Sequence, residues 1–307
     1  MEQLRGMNAK KMFQKVSLSD NDFMAWMQQV GLISASKKCS CGGDMALRSK
    51  GSAGGRRWVC RNSWCRKKKG ILKGSFFENT KLAPQEVFQL SYYWCRGTHT
   101  VSEIQFDMRR EDGSTIGAEA IVDWNKYFRD VCAEFFVKNP MKTGGEGKVV
   151  DIDEILLIRR KYKGGHQVKE QWTFCGIEYG SARCFLVPVE NCSAATLLPI
   201  IQEYVLPGST VISDLWAAYG GINNLPDAYR HLTLDYSIHF VEPGSSTRKI
   251  TAESTWQKFK HSHRCRYRTQ RTMLLSYIEH FQWRHLFAGD DAMYHLWSQI
   301  CSLYPLE

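Results

Sequence analysis

VVDIDEILLIRRKY, residues 149–162, is the stretch on which the fold of this chain turns. Alternation places Val149, Asp151, Asp153, Ile155 and Leu157 on one face. Val150, Ile152, Glu154, Leu156 and Ile158 lie on the other. Both faces are mostly apolar, the pattern of a β-strand covered on both sides. A carboxylate in the middle of such a strand is costly to desolvate unless a cation or hydrogen-bond donors compensate it. An ion pair with a nearby Arg or Lys explains one such acid as well as a functional site does. The question is whether matching acids occur elsewhere.

Downstream, strand and helix patterns alternate. QWTFCGIEYG (171–180) and ARCFLVPVE (182–190) read as antiparallel neighbours of the first strand. SAATLLPIIQEYV (193–205) reads as a helix capped by Ser193. PGSTVISD (207–214) is a turn and a short buried strand ending on Asp214, LWAAYGGI (215–222) reads as helical, and YRHLTLDYS (229–237) is a further strand. Three strands, helix, strand, helix, strand is the order of an α/β, ribonuclease H-like mixed sheet flanked by helices. Ligand groups in open α/β sheets gather at strand ends, which suits Asp214. In ITAESTWQKFK (250–260), Thr251 caps a helix, Glu253 falls in its first turn, and Lys260 lies two turns further on the same side. Each acid alone reads equally well as an N-cap or surface charge. Together Asp153, Asp214 and Glu253 could hold two metal ions at a phosphodiester. Oxygen ligands suit magnesium, with manganese as the alternative ion.

Upstream of the linker NPMKTGGEGK (139–148), residues 76–140 read as helical. APQEVFQLSYYWCRG starts with Pro84 in a first turn and stops at Gly97. A short helix in HTVSEIQFDMRRE (99–111), a turn at DGS, and a longer helix in residues 115–137 are compatible with a helix-turn-helix DNA reader. Residues 37–75 differ in character. Cys39 and Cys41 form a CxC pair, and Cys60 and Cys65 a Cx4C pair, separated by a hairpin-length insert with Gly51, Gly54 and Gly55. Two close pairs of this kind suit a tetrahedral zinc ribbon, and a segment this small needs such a staple. Four unligated thiols are the alternative. Residues 1–36 are a basic arm and a small packing helix, and residues 288–307 a C-terminal helix.

The chain has 307 residues, a formal net charge of +10 and eleven cysteines. That balance suits a protein that meets polyanions. No apolar run is long enough to span a bilayer, and the first residues lack the apolar core of a secretory signal, so reduced thiols and metal ligands are expected rather than disulfides. Positive charge concentrates in residues 37–75 and again after Glu253, where Lys258, Lys260, Arg264, Arg266 and Arg268 are candidate DNA contacts. A solvated charged face is the alternative for both clusters.

A family resemblance spans roughly residues 18–287. VVDIDEILLIRRKYKGG, KEQWTFCGIEYG, LLPIIQEYVLPGSTVISDLWAAY, AESTWQKFK and SYIEHFQWR occur in that order, preceded by CSCGGDM, WVCRNSWC and ILKGSFFE. The series resembles the Merlin family of DDE transposases and its bacterial insertion-sequence relatives. The resemblance implies that Asp153, Asp214 and Glu253 are the three catalytic acids, with Asp151 in a supporting role, and that Lys260 contacts phosphate near the cut end. It implies a DNA transposase that binds terminal inverted repeats, cleaves a strand with magnesium, and joins the freed 3′ hydroxyl to target DNA. Paired ends imply a homodimer or larger assembly. The place of action would be the nucleus in a eukaryote and the cytoplasm or nucleoid in a bacterium. A non-catalytic DNA-binding protein of transposase descent, or a nuclease that cuts without joining, are the alternative functions. The expected domains are 1–36, the zinc ribbon 37–75, the helical DNA-binding region 76–140, the catalytic domain 149–287, and the helix 288–307.

Overall fold

The computed structural model describes residues 1–49, 55–158, 161–163, 166–168, 170–234, 254–261, 271–287 and 289–306. It divides into two units, Met1–Phe135 with Phe287–Glu307, and Phe136–Leu286. In chain order the first unit holds α1 (Ala9–Val16), α2 (Asp20–Val30), β1 (Met45–Ser49), β2 (Arg56–Cys60), β3 (Lys68–Gly70), α3 (Pro84–Arg96), α4 (Val101–Asp107) and most of α5 (Ala118–Lys138). The second holds β4 (Thr143–Gly144), β5 (Val149–Ile158), β6 (Lys161–Lys163), β7 (His166–Val168), β8 (Gln171–Glu178) and β9 (Cys184–Val189). It continues through α6 (Ala194–Tyr204), β10 (Val205–Leu206), β11 (Thr210–Ser213), β12 (Arg230–Thr233), α7 (residues 254–261) and α8 (Arg271–Phe287). The last helix, α9 (Ala292–Leu303), belongs to the first unit. Among the described residues no helix is long and apolar enough to cross a membrane.

In the first unit, aromatic residues spaced along α2, α3 and α9 converge. Phe23, Trp26 and Phe88 meet with centroids 5.1–6.0 Å apart. Trp297 of α9 stacks on Phe77 at 5.4 Å, and its indole N–H donates to the Ser91 hydroxyl at 3.0 Å. A buried indole needs such a partner, so this bond fixes where α9 docks. At the N-terminus, Arg5 pairs with Asp291 at 2.6 Å, just before α9. The short turn in the helical region falls elsewhere than expected. Gly97, at φ 68°, ends α3, and Thr100 caps α4 with Glu103 completing a reciprocal capping box. The tight connection therefore joins α3 to α4. The connection from α4 to α5, residues 108–117, exceeds the turn of about three or four residues of a helix-turn-helix.

The second unit is organised by β5. The sheet order is β12-β11-β5-β8-β9. β8 runs antiparallel to both β5 and β9, whereas β11 is parallel to β5 and β12 is parallel to β11. Both faces of β5 are covered, as its composition requires. Val150 and Ile152 pack with Leu197 and Ile201 of α6 and with Tyr219. Ile155 packs on the other face with Trp256 and Phe259 of α7 and Leu274 and Ile278 of α8.

Two local readings are corrected. Ser193 stands at the N-cap of α6, but its hydroxyl makes no cap bond. Asn191 organises the turn by accepting from the Ser193 amide at 3.0 Å and the Thr196 hydroxyl at 2.8 Å. Residues 215–222 do not form one helix but two single turns of 3-10 helix, Ala217–Tyr219 and Ile222–Asn224, because the Gly220-Gly221 pair interrupts them.

Gly176 lies opposite Ile152 on one side and Phe185 on the other. A Cβ there would come within 2.3 Å of the Phe185 ring, which is wedged against Phe174 and Tyr204. Gly176→Ala is expected to lower stability by about 1–3 kcal/mol. A urea unfolding midpoint equal to that of the wild type would contradict this packing.

Candidate active site and metal centre

The parallel register of β11 against β5 pairs Thr210 with Val149, Val211 with Val150 and Ile212 with Asp151. Continued two positions past the last paired residues, the same register would set Asp214 beside Asp153. Asp153 stands midway along β5, and Asp214 directly follows the last residue of the parallel strand β11. Asp153 is exposed and Asp214 half-buried. The Glu154 amide donates to Asp153 at 2.8 Å, and the Trp216 amide donates to Asp214 at 2.9 Å, so each carboxylate is oriented by the backbone beside it. Asp151 is buried and accepts the Tyr179 hydroxyl at 2.9 Å. A bound phenol and burial suit the supporting role expected of Asp151.

The third expected acid, Glu253, lies outside the described residues, as do Arg264, Arg266 and Arg268. Lys258 and Lys260 lie on α7, the first exposed and the second half-buried, while Trp256 and Phe259 anchor that helix in the core. Among the described residues no set of carboxylates is drawn close enough to share an ion; only the cysteine quartet is.

Glu154 is the residue that the sequence reading passed over. It lies on the otherwise apolar face of β5 and accepts a short hydrogen bond from the Tyr219 hydroxyl. Tyr219 is fully buried on the first 3-10 turn after Asp214. The pair thereby ties the segment following Asp214 to the strand that carries Asp153. Burial raises the Glu154 carboxyl above its ordinary value, the Tyr219 bond opposes this, and the nearby charges of Asp153 and Asp214 add to the rise. Burial and Glu154 likewise push the Tyr219 phenol up. The available signal was a glutamate in the series Val150, Ile152, Glu154, Leu156, Ile158, where a carboxylate requires a donor.

The second centre is the cysteine quartet. β1, β2 and β3 form an antiparallel sheet whose ends bring Cys39, Cys41, Cys60 and Cys65 together. All four sulfurs lie within 4.8 Å of one another, with Cys39–Cys65 at 3.6 Å and Cys41–Cys60 at 3.5 Å. Tetrahedral Zn–S bonds of about 2.3 Å would place sulfurs about 3.8 Å apart, so the donor set fits such an ion. The backbone amide of Gly43 is the main cause holding the Cys41 thiol down to about 6, while burial pushes Cys60 up to about 12. A bound dication favours the thiolate form of every ligand.

Residues 156–285 match the ISXO2-like transposase domain. That stretch is similar to a DDE-type transposase domain. The matched residues include Asp214, Glu253, Lys258 and Lys260 and begin just after Asp153. An uncharacterized transposase-like protein of Haemophilus influenzae is 37% identical over 60 residues, 20% of this chain and 47% of that protein. The chain thus spans about half the length of the curated relative it matches. A solved structure titled "Crystal structure of a pre-cleavage Mos1 transpososome" aligns over 66% of this chain and 79% of that chain, at 10% identity and a TM-score of 0.24. An overlap at that score carries no argument about this fold. The resemblance to DDE transposases read from the sequence is borne out at the level of the domain.

The geometry of each centre leads to one prediction. The raised Glu154 carboxyl stabilises the fold fully below the ordinary glutamate range, and that contribution is lost as pH rises through the folded-state value. Glu154→Gln keeps an acceptor for Tyr219 and removes the charge. In metal-free buffer its denaturant stability is expected to decline less than that of the wild type as pH rises from about 4 to about 7; parallel curves would remove the proposed repulsion. At the quartet, Cys60→Ser is expected to abolish stoichiometric zinc and expose residues 37–75 to proteolysis. Elemental analysis showing undiminished zinc would count against a four-cysteine site.

Proposed function

We propose that the chain is a DNA transposase that binds transposon terminal inverted repeats, cleaves a strand at the element's end and transfers the freed 3′ end into target DNA. The observation that supports this reading is the parallel pairing of β11 with β5, the strands that lead to Asp214 and carry Asp153, in a chain similar over residues 156–285 to a transposase domain. The sheet order, with β8 alone antiparallel to the rest, supports a ribonuclease H-like catalytic unit.

The residues suit a hard dication. Asp153, Asp214 and Glu253 offer oxygen ligands only, and the charges of Asp153 and Asp214 add to the rise that burial imposes on Glu154. Magnesium held by these three acids would supply Lewis-acid activation of the attacking hydroxyl and stabilisation of the leaving oxygen. The chain's own residues do the positioning. The amides of Glu154 and Trp216 orient the two aspartates, and the Tyr219–Glu154 bond holds their strands in mutual register. Lys260 follows Glu253 by two helical turns and would bear on a phosphate beside the scissile one. Lys258, Arg264, Arg266 and Arg268 would extend that contact along the backbone.

In this reading the cysteine quartet holds a structural zinc, and the ribbon with the α3–α5 region engages DNA. Two ends processed together would require two copies of the chain.

The test is magnesium-dependent nicking of end-containing DNA, followed by joining of pre-cut ends. Asp153→Ala and Asp214→Ala are each expected to reduce cleavage by more than about a hundredfold while leaving DNA affinity near that of the wild type. Cleavage without joining would favour a nuclease. Binding with no cleavage by the wild type would favour a non-catalytic DNA-binding protein.

A further inference from the structure

The two turns that carry the cysteine pairs differ in design. Gly42 directly follows Cys41 at φ 82°, in the left-handed region that glycine enters freely. Arg66 directly follows Cys65 and holds the equivalent place at φ 47°. A residue with a Cβ adopts that conformation only at a cost, so the second turn retains an arginine where glycine would be easier.

The neighbour of Arg66 in this turn is equally unusual. Trp64 is 76% exposed, more than any other large apolar side chain among the described residues. Its indole contributes almost nothing to the core, yet the backbone of the turn that carries it is fixed. The amides of Cys65 and Arg66 both donate to the Asn62 carbonyl, at 3.0 and 3.2 Å, and the Asn62 side-chain amide donates to the Cys41 sulfur at 3.4 Å. A ring carried on so fixed a turn has only its side-chain rotations left to order on binding. Arg61, Lys67 and Lys68 flank it in sequence as exposed cations. Asp44, the sole acid of residues 37–75, is already paired with Lys38 at 2.8 Å.

A flat ring on a rigid turn amid cations matches a ligand with both phosphates and π-faces. We propose that Trp64 stacks on an unpaired or unstacked base of bound DNA while Arg66 holds an adjacent phosphate. The inference rests on the reading of this chain as DNA-binding. Stacking on aromatic side chains is tolerant of base identity, so this turn would sense exposed bases rather than a sequence. Opened bases at a strand end are the substrate feature it would detect.

The test uses the full zinc-loaded chain with a mixed-sequence single strand carrying 2-aminopurine and a mixed-sequence duplex, each across a salt series. Trp64→Ala is expected to bind the single strand about tenfold more weakly, with its salt slope unchanged and the 2-aminopurine quenching lost. Trp64→Phe, which keeps a ring, should retain most of the affinity. Arg66→Gly should weaken binding and reduce the salt slope by about one, while zinc content holds and thermal stability stays equal or rises. Trp64→Ala that binds and quenches like the wild type overturns the stacking contact but leaves DNA binding intact. Wild-type protein that binds neither DNA overturns the DNA-binding reading itself. Trp64-dependent binding to phosphatidylserine vesicles, with DNA affinity unaffected, overturns the proposal in favour of a membrane surface.

Discussion

The second unit depends on a strand that is buried on both sides and yet carries acids. β5 needs its apolar residues to hold α6 on one face and α7 and α8 on the other. It also places Asp151, Asp153 and Glu154 in sequence at its middle. The cost of those charges is met differently at each. Asp153 emerges into solvent, Asp151 receives a phenol, and Glu154 receives the hydroxyl of Tyr219. The tyrosines that satisfy two acids of β5 also reinforce neighbouring segments, Tyr179 from the end of β8 and Tyr219 from the turn after Asp214. Desolvation and geometry are therefore one problem here: the donors that make buried acids tolerable also set the spacing of the exposed ones.

Much of this unit was legible because period-two alternation is strong in β5, β8 and β9, and because an acid directly follows β11. The sheet partners of β5 follow from those patterns and from short connections. What alternation could not convey was the partner of Glu154. Tyr219 is remote in sequence, and residues 215–222 contain enough apolar positions to resemble a helix until the Gly220-Gly221 pair is weighed. The cysteine quartet was readable from spacing, since close pairs flanking a hairpin leave few other arrangements. The docking of α9 into the first unit was not. It rests on Trp297 reaching Ser91 and Phe77, and an apolar helix face does not name the surface that covers it.

The helical region shows how a motif read from element order can miss the geometry. Helix, glycine turn, helix occurs twice between residues 84 and 138, and the turn residues are stronger signals at Gly97–Thr100 than at the later loop. There a left-handed glycine and a reciprocal capping box define the tight turn. The later loop instead folds on itself, with the Arg110 amide bonded to the Ser114 carbonyl and the Arg110 side chain reaching Glu86 of α3. That ion pair turns Arg110 toward α3. A contact surface inferred from counting cations in this region would therefore count one that is already engaged.

The charge distribution poses a conflict that the candidate active site must resolve. A formal net charge of +10 draws a polyanion toward the chain, and the basic ribbon strengthens that attraction. Near Glu154 the local sign is negative: burial raises its carboxyl, and the charges of Asp153 and Asp214 add to that rise. A phosphodiester approaching that region meets repulsion from the groups proposed to act on it. Protonating the acids would relieve the repulsion but would remove the oxygen donors that the proposed chemistry needs. A dication relieves it without that loss, because its charge offsets the carboxylates while leaving positive potential toward the phosphate. With such an ion the acids and the chain's net positive charge would act in the same direction, and the cost of placing charge in a covered strand would become the means of holding it.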